Sequence, residues 1–282
     1  HNRQLADDLH LVADENRQLK HYLQQLIFSD VTDLTETAPS PQDEAGGIPL
    51  PPGVLRYLVA GTEEMGWFLR SGQLGAQTVV DVLQRQGVAL DQLTTILDFG
   101  CGCARVLRHF KGHSRIALHG TDCNHLAIRW CQKHLDFAAF HLNALEPPLG
   151  YDDHRFDLIY AFSILTHLTE PLQTAWMAEF RRVLAPGGYL IISVHGDATF
   201  REQLESLEPA ERESYQHGRL VVREDGLAGS NFCSAFHPQE YVRLTLTRGF
   251  QVMDFVPEGT KGNPPQDLYL LRRPLDAGES RS

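Results

Sequence analysis

The first residues with recognisable chemistry form a glycine turn between two aspartates. Asp98, Gly100 and Gly102 directly follow the apolar pair Ile96 and Leu97. Glycines at such a turn leave backbone N–H groups open to a ligand that a Cβ would block. About twenty residues later Asp122 ends a second apolar run, where a carboxylate can accept hydrogen bonds from both hydroxyls of a ribose. The pattern predicts a nucleotide-derived cofactor, although a glycine turn by itself also occurs without any ligand.

Two histidines end later apolar runs and are candidate general bases. His167 lies in SILTHL and His195 in SVHG, and His237 in FHP is a third candidate. A neutral imidazole can remove a proton from a bound hydroxyl. Because the chain has 14 histidines, packing or helix capping is the alternative for each. No close His/Asp pair has ligand spacing, so we expect no metal site.

Short apolar runs alternate with amphipathic segments from residue 94 onward. The runs predict strands at 96–100, 116–122, 138–142, 156–162, 189–195, 250–256 and 267–273. Helices are predicted at 104–111, 125–135, 171–184 and 238–248. This alternation is typical of an α/β fold with a seven-stranded, mostly parallel sheet and helices on both faces. The last two strands are close in sequence, so we expect one to pair antiparallel at an edge.

The chain before this core has its own organisation. Residues 5–26 carry leucines, one valine and Asn16 at alternating four- and three-residue steps, which predicts a coiled-coil helix over 1–28 and a parallel homodimer. An amphipathic helix packed on its own domain is the alternative. We interpret 29–53 as a linker and 54–282 as one domain. This domain has a helical N-terminal cap (54–92) and a core (93–273), with 196–236 inserted as a substrate lid.

Composition excludes several classes of protein. The 36 acidic and 25 basic residues give a net charge of −11, which disfavours nucleic acid as a partner. Five cysteines without a CxxC pair indicate a reducing environment rather than disulfides. No apolar run reaches the roughly 18 residues of a membrane span. We therefore expect a soluble, cytoplasmic protein with no membrane partner.

The glycine turn and its neighbours resemble the class I, Rossmann-like methyltransferases that use S-adenosyl-L-methionine. Asp98, Gly100 and Gly102 match the DxGxGxG motif of that family, whereas Ala104 stands at its third glycine. Further landmarks occur in order over 94–273, namely Asp122, Asn143, FDLI at 156–159 and LAPGG at 184–188. A nicotinamide-dependent reductase is the rival on a similar sheet. These landmarks resemble methyltransferases rather than dehydrogenases.

The resemblance implies roles for individual residues. It brings the backbones of Gly100 and Gly102 to the methionine part of the cofactor, Asn143 and Ala144 to the adenine, and Ala161 or Phe162 to the sulfonium. Arg105 would meet the methionine carboxylate or, alternatively, be a solvated helix-start residue. Cys101, Cys103 and Cys123 lie around the cofactor loop, where they are expected to be small apolar wall residues.

A second, shorter resemblance concerns the acceptor. Residues 51–72 are similar to the leading part of methyltransferases that accompany glycosyltransferases and polysaccharide or natural-product assembly. It makes Arg56, Trp67 and Phe68 candidates for the acceptor wall, against ordinary helix packing. The implied function is O-methylation of a small polar molecule such as a sugar. N-methylation and a non-catalytic, cofactor-binding assembly module are the alternatives.

Overall fold

The computed structural model of this chain describes residues 44–262 and 264–276. The predicted coiled coil over 1–28, the dimer contact assigned to it and residues 29–43 of the predicted linker lie outside these residues. Within the described part, no helix has the length and apolar character needed to span a bilayer.

A seven-stranded sheet forms the centre of the protein, in the order β10-β11-β7-β6-β3-β4-β5. Its strands are β3 (Thr95–Phe99), β4 (Ala117–Asp122), β5 (Ala139–Leu142), β6 (Phe156–Ala161), β7 (Leu184–Val194), β10 (Gln251–Val256) and β11 (Asp267–Arg272). Strands β3 to β7 pair in parallel, while β11 is antiparallel to both β7 and β10. The predicted α/β fold with a mostly parallel, Rossmann-like sheet is confirmed.

The core lies in two layers, one on each face of this sheet. Successive residues of a strand point to opposite faces, so Ile96 and Leu97 of β3 are both fully buried but enter different clusters. The helices that cover the faces are α1 (Gly53–Ala60), α2 (Met65–Gln84), α3 (His125–His134) and α4 (Glu170–Val183). Burial on both faces explains why the strands read as nearly continuous apolar runs.

Helix α2 runs for 20 residues through Gly66, Gly72 and Gly75, although glycine in a helix interior favours a break. Only Gly61 ends a helix, in the left-handed conformation after α1. The glycines at 72 and 75 let α2 approach the segment after the glycine turn closely. A Cβ at Gly72 would lie 2.0 Å from the carbonyl oxygen of Arg105, and one at Gly75 would lie 2.9 Å from Val106.

The helix predicted at 104–111 is absent, which corrects that expectation. Ala104 has a left-handed φ of +58°, and the chain continues through turns into a 3₁₀ helix at Leu107–Phe110. The predicted helix at 238–248 is likewise modified, because three α-helical residues (α7, Gln239–Tyr241) continue as a π-helix at Val242–Leu246.

Residues 44–50, which we assigned to the linker, pack against the core instead. Two short strands, β1 (Glu44–Ala45) and β2 (Ile48–Pro49), form a hairpin. Ile48 is 8 % exposed and Leu50 is 2 % exposed. The buried guanidinium of Arg108 donates to the carbonyl oxygens of Ile48 and Pro49 at 2.8 and 3.1 Å, so the hairpin is fastened to the segment after the glycine turn.

The insertion after β7 has its own small core. It contains α5 (Asp197–Glu202), α6 (Pro209–Gln216) and the antiparallel strands β8 (Val221–Arg223) and β9 (Ser234–Phe236). Phe200 and Tyr215 stack with ring centroids 3.6 Å apart. The connection between β8 and β9 contributes Gly229, Ser230 and Asn231 to the main cavity, so this segment forms part of the cavity wall and its role as a lid stays a prediction.

Candidate active site

A cavity of about 400 Å³ lies at the carboxyl ends of the parallel strands. Every strand from β3 to β7 ends in or directly before a residue that contributes to its wall. Ligands of open α/β sheets bind at this edge. The cavity is bounded on one side by α1 through Leu58 and Val59, and on the other by the β8–β9 connection. Asn231 Nδ2 donates to the carbonyl oxygen of Leu58 at 3.4 Å across these two sides.

The glycine turn is fastened to the end of β4. Gly100 and Cys101 donate their N–H groups to the carbonyl oxygen of Thr121 at 2.7 and 2.9 Å. Gly100 has φ +78°, and a Cβ on it would lie 2.0 Å from Cδ1 of Ile164. Both the backbone conformation and the space therefore require glycine at this position.

Asp122 joins the turn to the next helix through both carboxylate oxygens. Oδ2 accepts from the Gly102 N–H at 2.7 Å, and Oδ1 accepts from the Asn124 N–H at 2.8 Å. Asn124 in turn caps α3, because its Oδ1 accepts from the N–H groups of Leu126 and Ala127 at 3.1 Å. Burial raises the pKa of Asp122. The carboxylate is preorganised and has further lone pairs for a ligand hydroxyl.

Ala104 occupies the third glycine position and keeps the backbone conformation of a glycine. Its φ of +58° costs an L-residue about 1–2 kcal/mol relative to the right-handed region. The alanine is fully buried. The chain therefore adopts at Ala104 a left-handed conformation that a glycine would adopt at lower cost.

The charged residues of the cavity are Asp98, Arg105 and Asp122. Burial raises the pKa of Asp98 to about 7, while the nearby guanidinium of Arg105 opposes this shift. Burial also lowers the pKa of Arg105. That guanidinium donates to Ser71 Oγ at 3.0 Å and lies 5.4 Å from the ring centroid of Trp67. Arg105 is thus held inside the site by α2 and is not a solvated helix-start residue.

Asn143, which follows β5, has an acceptor without a partner. Its Nδ2 donates to the carbonyl oxygen of Ala144 at 2.7 Å. Its Oδ1 is buried and receives no hydrogen bond from the described residues. A buried acceptor of this kind costs about 1–3 kcal/mol unless a ligand donor satisfies it. The exocyclic amino group of an adenine is such a donor.

His167 is held by the insertion after β7. Its Nδ1 is 2.7 Å from the carbonyl oxygen of Cys233, and its own carbonyl oxygen accepts from the Gly229 N–H at 2.8 Å. Since a carbonyl can only accept, Nδ1 must carry the proton, and the lone pair of the neutral ring is therefore on Nε2. Burial lowers the pKa of His167 despite the bond to Cys233, so the ring is neutral near pH 7.

His195 lies beside His167, with ring centroids 6.4 Å apart and the planes at 88°. Its buried Nδ1 has no hydrogen-bond partner in the described part of the chain. Burial, reinforced by the neighbouring His167, lowers the pKa of His195 to about 4. Two neutral imidazoles therefore line the same part of the cavity.

Most of the candidate site residues line this one cavity. They are Trp67, Asp98, Gly100, Cys101, Gly102, Cys103, Arg105, Asp122, Cys123, Asn143, Ala144, Phe162, His167 and His195. Four others do not line it. Ala161 and Phe68 are fully buried in the core, and Arg56 binds the carbonyl oxygens of Pro51 and Glu63. His237 is 1 % exposed and bonds Gln173 at 3.1 Å.

Several lining residues were not predicted from the sequence. Ser163, Trp176, Asn231 and Gln266 are among them. Gln266 directly precedes β11, and an antiparallel strand starts at the edge where its parallel neighbours end. The expectation of one antiparallel edge strand was therefore a signal that could have indicated Gln266. Trp176 and Asn231 depend on tertiary contacts that no local pattern encodes.

Metal and disulfide chemistry find no support in the described residues. No group of three His, Cys, Asp or Glu side chains there is arranged to hold a metal ion. The five cysteines, all within that part, are free. Burial raises the pKa of each of the thiols Cys101, Cys103 and Cys123, as expected for unreactive wall residues.

Comparison with known proteins agrees with this geometry. Residues 96–188 match the family model described as "Methyltransferase domain". The match begins in β3 and ends inside β7, so it contains the glycine turn, Asp122 and His167. The match covers about a third of the chain and assigns a methyltransferase domain to these residues.

Solved structures share the fold at low sequence identity. The 1,6-didemethyltoxoflavin-N1-methyltransferase of Burkholderia thailandensis, with bound 1,6-didemethyltoxoflavin and S-adenosylhomocysteine, is 16 % identical. It has a TM-score of 0.50, over 74 % of this chain and 81 % of that one. The PH0226 protein of Pyrococcus horikoshii is 17 % identical with a TM-score of 0.50, over 70 % and 90 %. A SAM-dependent methyltransferase of Methanosarcina mazei is 21 % identical with a TM-score of 0.48, over 64 % and 93 %.

Proposed function

We propose that this methyltransferase transfers a methyl group from S-adenosylmethionine to a hydroxyl of a small, neutral, polar acceptor such as a sugar or a related metabolite. One observation carries the proposal. A single cavity contains both the glycine turn, with Asp98 and Asp122 beside it, and the two histidines His167 and His195. The turn fits the cofactor, and the histidine pair fits the removal of a hydroxyl proton.

The residues around the turn fit the cofactor by their chemistry. Asp122 has lone pairs for the ribose hydroxyls, and the unpartnered Oδ1 of Asn143 suits the adenine amino group. Asp98 is a counter-charge for the cationic methionine end, and Arg105 is one for its carboxylate. When bound, S-adenosylmethionine supplies an electrophilic methyl group on a sulfonium whose leaving group is already activated.

The chain then has two tasks, namely to orient the acceptor and to take its proton. Leu58, Val59 and Trp67 line the cavity on the α1 and α2 side, and residues 229–231 line the opposite side, so a bound acceptor would displace water between these walls. His167 presents a lone pair at Nε2 because Cys233 fixes the proton on Nδ1. The acceptor hydroxyl would transfer its proton to that nitrogen. His195 is the weaker candidate, because its Nδ1 has no partner among the described residues comparable to the Cys233 carbonyl at His167.

The experiment that tests the proposal is an acceptor screen. The purified chain is incubated with S-adenosylmethionine and a panel of sugars, polyols, phenols and amines, and release of S-adenosylhomocysteine is followed by mass spectrometry. Release with hydroxyl acceptors is expected. Release only with amines would favour N-methylation, and tight cofactor binding without release for any acceptor would favour a non-catalytic assembly module.

Assembly and location remain part of the proposal. A homodimer through residues 1–28 is the expectation from the heptad pattern, and light scattering of the chain with and without these residues tests it. A monomeric full-length chain at micromolar concentration would contradict it. The free cysteines support a reducing, cytoplasmic location, which fractionation of the native cells would check.

A further inference from the structure

Three strand ends converge on the acceptor side of the cavity. Ser163 follows β6, His195 follows β7 and Gln266 precedes β11, and all three line the cavity. The antiparallel register pairs Asp267 with Val194, so continuing it by one residue sets Gln266 directly opposite His195. Directly opposed residues on antiparallel strands have Cβ atoms about 4.5–5.5 Å apart. Gln266 is therefore a neighbour of the histidine pair.

The orientation of the Gln266 amide is set by a buried hydrogen-bond network. Ser193 Oγ accepts from the Ser163 N–H at 2.8 Å and donates its own proton to Gln266 Oε1 at 2.6 Å. Gln266 Nε2 donates to Ser163 Oγ at 2.8 Å. The reverse amide orientation would leave the proton of the fully buried Ser193 without an acceptor. Ser163 is itself held at a φ of +59°, a strained conformation of the kind found at functional sites.

This network leaves one donor for a ligand. An amide nitrogen has two N–H groups, and Gln266 uses one on Ser163. Its second N–H has no partner among the described residues. Gln266 is 1 % exposed and lines the cavity, so an oxygen of a molecule bound in the cavity can serve as the acceptor for that N–H.

The charge distribution narrows the class of that molecule. The three charged residues of the cavity belong to the cofactor side, at Asp98, Arg105 and Asp122. The polar side chains of the acceptor side are neutral, namely Ser163, His167, His195, Ser230, Asn231 and Gln266. An acceptor with a formal charge would be desolvated there without a counter-charge.

We propose that Gln266 recognises a second oxygen of the acceptor, next to the hydroxyl that is methylated. The acceptor class is then a neutral molecule with neighbouring oxygen functions, as in a polyol or a glycoside. This inference rests on the proposed function, because it takes the histidine side of the cavity as the acceptor site.

The test uses the ¹⁵N-labelled full chain saturated with S-adenosylhomocysteine and follows side-chain amide signals by NMR. Glycerol, which has neighbouring hydroxyls, is compared with 1-propanol, which has one. The Gln266 amide pair is assigned by its loss in Gln266→Met. Gln132, whose amide donates to the carbonyl oxygen of Phe140 at 2.9 Å outside the cavity, is the internal control.

We expect glycerol to shift the Gln266 signals at lower concentration than 1-propanol, with Gln132 unmoved. Ser193→Ala, which releases the amide oxygen, should weaken that response. Unmoved Gln266 signals, or equal responses to both alcohols, would overturn the inference. A positive NMR result without S-adenosylhomocysteine release from any acceptor would instead count against the proposed function.

A kinetic readout separates recognition from folding once the screen gives a polyol or glycoside substrate. Gln266→Met should raise its KM about 10-fold or more, the scale of a lost ligand hydrogen bond, and leave cofactor affinity unchanged. For the deoxy analogue, which lacks the second oxygen, wild type and Gln266→Met should have the same KM. If Gln266→Met raised the KM of the substrate and that of the deoxy analogue by the same factor, the role of Gln266 in recognition would be contradicted.

Discussion

The carboxylate of Asp122 accepts a hydrogen bond from the backbone N–H of Gly102 at 2.7 Å. One residue at the end of β4 therefore fixes the position of the glycine turn that ends β3. Its other oxygen holds the N–H of Asn124, the residue that caps α3. The local order of two strand ends consequently depends on the side chain that we propose as a ligand of the cofactor ribose.

Asp122→Ala should weaken S-adenosylhomocysteine binding by about 1.5–3 kcal/mol, the range for hydrogen bonds to a charged group. Isothermal calorimetry measures this directly. The matched control is Asp157→Ala. Asp157 accepts from Thr94 and Thr95 at the opposite end of the sheet, so its loss should lower stability and spare affinity. Equal affinity losses in both variants would mean that general destabilisation explains the effect of Asp122.

Gly72→Ala should disturb the cofactor loop from a distance. The added Cβ would meet the carbonyl oxygen of Arg105 at 2.0 Å, so α2 or the loop must move. We expect a lower melting temperature and at least 10-fold weaker cofactor binding, since overpacking of this kind costs about 1–3 kcal/mol.

Gly66→Ala is the control for this substitution. Gly66 belongs to the same helix, and the nearest atom to its added Cβ is a carboxylate oxygen of Glu64 at 3.7 Å. Alanine there should be neutral or stabilise by up to about 1 kcal/mol. Equal behaviour of the two variants in thermal melts would refute close packing at Gly72.

The fold was predictable to a large extent because local patterns encode it. All seven strands of the central sheet were expected within a few residues of their observed bounds, except that β7 starts at Leu184, five residues before the predicted start at Tyr189. Helix α2 shows where such patterns fail. The glycines that suggested breaks serve a tertiary contact with Arg105 and Val106, and intrinsic helix propensity is weaker than that packing.

The site was predictable where it belongs to one continuous segment. The glycine turn, Asp122 and Asn143 could be read from motif and spacing. The tautomer of His167 could not, because it depends on Cys233, which is 66 residues away in the chain. Arg56 was expected at the acceptor wall and His237 as a third candidate base, yet Arg56 binds backbone carbonyls and His237 is buried against Gln173.

Cofactor affinity should depend on the ionisation of Asp98, whose pKa is raised to about 7 by burial. The cationic methionine end favours the ionised carboxylate, so S-adenosylmethionine affinity should rise up to about 10-fold from pH 6 to pH 8. Asp98→Asn should flatten this profile in calorimetry. A flat wild-type profile would exclude Asp98 as the counter-charge.

The same shift affects the stability of the protein without ligand. Asp98 binds its proton more tightly in the folded than in the unfolded chain, where its pKa is near 3.8. Its contribution to the free energy of unfolding is therefore fully present below pH 3.8 and is lost as the pH rises through about 7. Between pH 3.8 and about 7, the free energies of unfolding of wild type and Asp98→Asn, measured in denaturant melts, should diverge. The two values should approach each other when cofactor is added.

The most direct test of the account is the pH dependence of methyl transfer in wild type, His167→Gln and His217→Gln. His217 is an exposed histidine whose Nδ1 also lies 2.7 Å from a backbone carbonyl oxygen, that of Glu213, outside the cavity. With an acceptor from the screen, wild type and His217→Gln should keep full turnover above pH 7. Their turnover should fall in acid with a midpoint below 6.5, because burial lowers the pKa of His167. His167→Gln should lose turnover on the order of 10²-fold or more and bind S-adenosylhomocysteine normally. Full activity of His167→Gln with an unchanged acid limb would contradict the assignment of His167 as the base.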